Sequence, residues 1–586
     1  MMEIRKIKWV ISMTCEEKVN AKEFRELLRD YKIVDVDNPE TNVSEGLYDY
    51  CRVAVDTDLY IIYFRPVEGM PAGIGSFSYY EIPKCYGLMQ QEEAENGQIF
   101  DSLALSDAGI LQLQQEPLSL TGQGVIMGFI DTGIRYTQDV FRNGAGGSRI
   151  LSIWDQTISG QPPEGFLYGT EYVREQIEEA LLSETPRDIV PSWDTDGHGT
   201  AIASVAAGSM LDEGRRFVGA APDCDIVVVK LREAKQYLRD YYILPDGVPA
   251  FSETDIVMAV KYLESFAVAR ERPVVICLGI GSNYGSHTGS SALDRYLNTI
   301  AQRRSRAIVV CGGNEGASGH HYMGLSATTP HTVEMRVGEN DRGFVMEVWA
   351  EGPSRYRMTM RTPGGETINR ITGSDRRTEM YTFVFDRTIV TIDSFLLEET
   401  TGRSLLIFRF ERPTQGVWTF TIEADIAIAG ASYNMWLPIG EFMHSDTYFL
   451  RPEPDITLTT PAMAEGVISI TAYNDRDGGF YERSGRGFTA DRRIKPEFAA
   501  PGVDISTSLG KRTGSSLAAA IAAGAAAQMM QWAVVERNYP LASGRELKYY
   551  LALGAVRESG IEYPSREWGL GKINVQHTFR ELAGLF

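Results

Sequence analysis

One alternation restricts this chain more than anything else in it. Short, unbroken apolar runs at Val125–Ile130, Ile226–Leu231, Val274–Ile280 and Ile308–Cys311 are interleaved with helical patterns at Thr200–Gly208, Glu253–Ala269 and Ala292–Arg303. A strand that is apolar at every position has no face to show to water, so it belongs in a sheet covered on both sides. Helices between successive strands make those strands parallel. From about residue 100 to 321 the chain therefore reads as α/β, a parallel sheet with helices on both faces. No apolar run reaches the ~18 residues of a spanning helix. The Ala-rich run Leu517–Met530 is too short for one and predicts a helix buried in the core.

Three further regions flank or interrupt that pattern. Residues 1–90 predict a small α/β unit, with a strand over Trp9–Met13, a helix over Ala21–Asp30 and strands over Cys51–Val55 and Tyr60–Phe64. The acidic, Gln-rich stretch Gln90–Gly97 predicts an exposed linker. Residues 326–438 change to short alternating segments, among them Val333–Val337, Gly343–Val348, Leu405–Phe410 and Trp418–Glu423, separated by turns such as PGGE and TQG. That is an inserted all-β domain, a sandwich or jelly roll. The α/β character of 91–325 resumes over 439–586 and ends on helices.

The balance of 57 basic against 78 acidic residues gives a net charge of −21. Such a surface repels phosphates and argues against nucleic acid or an anionic membrane as partner. The six cysteines are scattered and form no CxxC pair, so neither a disulfide framework nor a zinc site is expected, and all six read as reduced, mostly buried thiols. The N-terminal apolar stretch is short, and no A-x-A-like site follows it. No signal peptide is expected, and synthesis in the cytoplasm follows.

Four residues carry the chemistry. Val-Ile-Met-Gly-Phe-Ile runs into Asp131-Thr-Gly, which delivers a carboxylate at the C-terminal end of a strand. Alone it could be a helix cap; as an aspartic protease signature it would need a second carboxylate and hence a homodimer. His198 stands in Asp-Gly-His-Gly-Thr at a helix start, flanked by small residues that keep the ring accessible. Ser516 opens an Ala-lined helix in Gly514-Ser-Ser516-Leu-Ala. A serine there is commonly an N-cap, yet the same place offers the helix dipole and a free N–H of Ser516 to an oxyanion. Asn314, in Cys-Gly-Gly-Asn314-Glu-Gly at a strand end, supplies an amide donor for the same charge. The order Asp…His…Ser is that of the subtilisin triad.

With these motifs the chain resembles the subtilisin-like family. Phe217-Val-Gly-Ala-Ala-Pro222 and Lys495-Pro-Glu-Phe-Ala-Ala-Pro501-Gly502 add to the likeness, which covers about 100–321 and 440–586. The family's Gly-Thr-Ser-Met-Ala-x-Pro departs here to Ser515 and Ala520; Gly514 and Gly524 fix the register on Ser516. Arg149-Ile-Leu-Ser-Ile-Trp-Asp-Gln156, Gly285-Ser-His-Thr-Gly289 and His320-His321 are similar to the clostridial Csp proteases.

The resemblance implies a serine endopeptidase in which His198 is general base, Asp131 orients it, Ser516 attacks, and Asn314 with the Ser516 N–H holds the oxyanion. It implies a substrate strand paired to Cys277, Leu278 and Gly279 near Gly312 and Gly313. It also implies an N-terminal prodomain, residues 1–90, that chaperones folding, is cut by the enzyme within Tyr86, Gly87, Leu88, Met89 and Gln90, and stays bound. The substrate class is protein, with a spore cortex-lytic zymogen as the family's task and the spore as its place. No cofactor is required; subtilases often carry structural calcium, but no Asp-rich loop or other metal motif supports it. Two alternatives stay open: a triad-bearing pseudoprotease blocked by its prodomain, acting in germinant signalling or as a scaffold, and a carbohydrate-binding or adhesion role for the β insertion.

Overall fold

The computed structural model describes residues 13–30, 49–66, 77–93, 102–211, 217–373 and 377–584. Among these, the alternation produces a sheet of eight strands in the order Phe498–Pro501, Ile468–Tyr473, Arg306–Cys311, Val274–Leu278, Ile126–Asp131, Asp225–Lys230, Ile150–Asp155, Thr170–Val173. All neighbours are parallel except the last pair, where Thr170–Val173 turns back on Ile150–Asp155. The central strands are buried at every position, as continuous apolar runs require. Their side chains still alternate: Met127 and Phe129 join one core, Ile126 and Ile130 the other. After Ile126–Asp131 the chain first builds one flank of the sheet, then crosses to the other. The crevice at that strand's C-terminal end is the switch point where open α/β sheets bind ligands.

Helices Glu253–Ala269 and Ala292–Ala301 cover one face. His198–Ala207 and Ser515–Met530 share the other core. The serine helix is longer than its sequence suggested. A π turn, Gln531–Val535, extends it until it is long and apolar enough to cross a membrane. Its apolarity serves burial instead, against Arg306–Cys311, Ile468–Tyr473, Val274–Leu278 and the histidine helix.

At the N-terminus, Arg25–Asp30, Leu59–Phe64 and Tyr50–Ala54 form a small antiparallel sheet beside a helix at Cys15–Asn20. The helix expected over Ala21–Asp30 is instead a turn followed by the strand Arg25–Asp30. Both charged residues of this strand that break an apolar pattern are buried, Glu26 near Lys235 and Arg232 and Arg29 on Glu81, so tertiary ion pairs override the local helical reading. The helix lies just upstream, closed by a capping box between Thr14 and Glu17. That packing brings Cys15 and Cys51 together in a disulfide, so the chain does not carry six free thiols; Cys85, Cys224, Cys277 and Cys311 are free and buried. Of the strand expected over Trp9–Met13, residues 9–12 lie outside the described residues.

Between His321 and Phe449 two antiparallel sheets, of six and five described strands, share one core of Phe344, Phe408, Phe410, Trp418 and Phe420. They begin before residue 326 and end after 438, because His321–Leu325 pairs with Ser432–Trp436 and Tyr448–Phe449 with His331–Val337.

Candidate active site

Asp131 ends the central strand and faces the first residue of the histidine helix. His198 Nδ1 lies 2.8 and 3.0 Å from the two carboxylate oxygens of Asp131. Both residues are 2% exposed. Burial by itself lowers the His198 pKa; the Asp131 charge and hydrogen bond outweigh it and hold the pKa above the ordinary value, with further help from Asp196 and the Met89 carbonyl. Glycine at 199 is obligatory for this approach, since a Cβ there would sit 2.4 Å from the Gly133 carbonyl oxygen and 3.1 Å from Asp131 Cβ.

A second carboxylate, which the sequence did not single out, builds the frame. Asp194 is fully buried and accepts from Gly197 N (2.8 Å), Thr200 N (2.9 Å) and Thr132 Oγ1 (2.9 Å). It thereby ties the turn after Asp131 to the start of the histidine helix. Its signal was an aspartate just before a helix start, the usual mark of a cap.

Ser516 lies in the first turn of its helix, whose N-terminal N–H groups have no partners within the helix. Asn314 reaches that turn from the end of the strand Arg306–Cys311. Its Oδ1 accepts from Ser515 N at 3.1 Å, which turns Nδ2 outward. Nδ2 donates at 2.9 Å to the main-chain carbonyl of Gln90. Gly312 and Gly313 form the wall behind: Thr459 N donates to the Gly312 carbonyl and Gly485 N to that of Gly313.

Gln90 is there because the preceding segment lies in the cleft. Cys85–Leu88 is a strand paired antiparallel with Phe251–Ser252 on one side and Ile280–Gly281 on the other. Met89 N donates to the Gly279 carbonyl. The pairing expected of Cys277 and Leu278 falls later, at Gly279–Gly281. Cys277 and Leu278 are hydrogen-bonded into the central sheet on both sides, so their backbone edges are taken. The His198 Nε2 meets the Met89 carbonyl at 3.1 Å, and Ser516 Oγ accepts from the Gln91 side-chain amide at 3.2 Å. The linker expected from Gln90 thus starts late. Glu92–Glu93 pairs antiparallel with Gly510–Thr513, the strand leading into the serine helix; residues 94–97 lie outside the described residues.

The arrangement is a serine at a helix N-terminus, a buried His–Asp pair, and an amide donor on a peptide carbonyl. The subtilase family model matches residues 122–358 and 451–571, more than half of the chain. The chain belongs to the subtilase family. The structure of the Clostridium perfringens CspB protease matches with a TM-score of 0.72 at 28% identity, over 82% of this chain and 98% of that one. The prenylagaramide maturation protease PagA matches with a TM-score of 0.39 at 12% identity, over 81% of this chain and 99% of that one. The subtilisin-like protease Apa1 of Pseudoalteromonas sp. AS-11 matches with a TM-score of 0.32 at 11% identity, over 82% and 98%. A search among curated proteins found no match. The protein is a subtilisin-like serine protease, and this subtilase resembles the Csp proteases.

Proposed function

We propose that this subtilase is an endopeptidase that cuts itself between Gln90 and Gln91, keeps residues 1–90 docked as chaperone and inhibitor, and then cleaves a protein zymogen. One observation carries the reading: the Gln90 carbonyl oxygen accepts from Asn314 Nδ2 at 2.9 Å, beside the Ser516 turn. A carbonyl in that place is the one that becomes an oxyanion on attack. His198 takes the Ser516 proton once its Nε2 exchanges the Met89 carbonyl for the Ser516 hydroxyl. The acyl group then stays on Ser516, Gln91 leaves as the new N-terminus with the proton returned by His198, and water completes the cycle. Each step uses protein groups and water. The zymogen class, a spore cortex-lytic precursor, and the spore setting rest on the Csp likeness.

One feature favours the blocked pseudoprotease instead: the Nε2 of His198 is engaged with Met89 and the cleft is filled by the chain's own strand. Intact-mass analysis separates the two. The proposal expects wild-type protein to run as two fragments divided after Gln90 that part only on denaturation. Ser516→Ala stays whole, while Ser515→Ala is still cut. A wild-type chain that stays whole, or a Ser516→Ala chain cut at the same bond, overturns self-cleavage.

A further inference from the structure

The segment after Gln90 is gripped as firmly as the one before it. Glu92–Glu93 adds a strand to Gly510–Thr513, with Glu93 opposite Arg512 and Glu92 opposite Thr513. Successive side chains of a strand point to opposite sides, and the partners follow that rule. Gln91 Oε1 and Glu93 Oε1 both accept from Arg512, at 3.1 and 3.2 Å. Glu92, pointing the other way, pairs with Arg483. Arg512 has only 11% of its side chain exposed, and its Nε is buried without a partner. Among the described residues, Glu93 is the one ion-pair partner of Arg512 and Glu92 that of Arg483. When the leaving segment departs, both cations lose their ion-pair partner, and Arg483 keeps the longer-range charge of Glu441. A carboxylate-bearing chain then restores the pairing, and a lysine-bearing chain is repelled.

We propose that Arg483 and Arg512 form an acid-selecting subsite on the leaving-group side of the cleft, so that this subtilase prefers protein substrates with acidic side chains at the second and third positions after the cut. The proposal rests on the self-cleavage reading above, with the cut at Gln90–Gln91. Exposed single ion pairs are weak; here two cations act on one strand whose backbone is already in register, and one of them is nearly buried.

The test uses the full chain made by cell-free synthesis, with the fraction cut followed by intact mass over time. Glu92→Lys with Glu93→Lys alters exposed side chains, and its thermal midpoint is measured beside the rate; it should slow the cut about tenfold, the size of effect that about 1.4 kcal/mol produces, with the midpoint unchanged. Arg483→Glu with Arg512→Glu should slow it similarly, and combining all four exchanges should restore most of the rate, which a purely structural loss would not allow. A wild-type chain cut after Gln90 whose Glu92→Lys, Glu93→Lys form is cut equally fast overturns the subsite and leaves self-cleavage standing. A wild-type chain that is never cut overturns both.

Discussion

His198 is engaged from both sides, by a carboxylate on Nδ1 and a carbonyl on Nε2, in a site closed to water. The carboxylate sets the charge balance: it raises the pKa although burial works against the imidazolium. A general base must be neutral, so self-cleavage should accelerate as pH rises, with its midpoint above the ~6.5 of free histidine. The same raised pKa gives a stabilisation that is complete below pH ~6.5 and fades as pH climbs through the folded value. Rate and stability thus change in opposite directions with pH. A self-cleavage profile by intact mass with a midpoint below ~6 would contradict this account of the ring.

At the scale of elements, the serine helix shows how tightly the site is seated. Gly524 faces Ala220 so closely that a Cβ would fall 2.1 Å from the alanine's own Cβ and 3.1 Å from its Cα. Replacing glycine in a helix is worth up to ~1 kcal/mol in propensity, but overpacking a full core costs about 1–3 kcal/mol. Gly524→Val should therefore lower the midpoint of thermal unfolding, and an unchanged or raised midpoint would show that the helix can shift. The elements that the sequence revealed are those fixed by local pattern. Glu253–Ala269 was legible from its helical spacing, the central strands because their burial is continuous, and Asp131, His198, Asn314 and Ser516 because each sits at an element's end in a short motif. What pattern could not show was tertiary. Arg25–Asp30 reads as helix until the partners of Glu26 are known. Cys15 and Cys51 meet only through folding. Arg483 and Arg512 gain meaning only from the strand laid between them.

Across the whole molecule, the N-terminal unit is held by buried polar groups as well as by packing. Glu26 lies 3.2 Å from Lys235 and 3.7 Å from Arg232, and accepts from Thr254 Oγ1 at 2.7 Å, with Asp255 on the far side of Arg232. Burial alone would raise its pKa; the two cations bring it below the ordinary value. That contribution is present above pH ~4.3 and is lost as pH falls through the lower folded value. A second tie joins Tyr79 to Glu347 of the β sheets at 2.6 Å, and Glu347 also accepts from Trp349 and Gly285. Burial raises the Glu347 pKa, so by linkage this group does not weaken the docked state as pH falls, and the acid sensitivity rests on Glu26. The cleaved fragment should therefore copurify at pH 7 and separate near pH 3 on size exclusion, and Glu26→Gln should weaken it at neutral pH. A fragment that stays bound at pH 3 on a folded body would show that packing alone holds it. The two strands that flank the Gln90–Gln91 bond have one more consequence. Hydrolysis of a free peptide sets two molecules adrift, whereas the proposed cut would leave each new end clamped, one between Phe251–Ser252 and Ile280–Gly281, the other on Gly510–Thr513. Reactive ends so oriented meet at effective molarities of about 10⁵–10⁸ M, so resynthesis of the bond competes with its cleavage. On the proposed self-cleavage, nicked and intact chains would interconvert through the acyl-enzyme, and the departure of one end, rather than the breaking of the bond, would make the change irreversible.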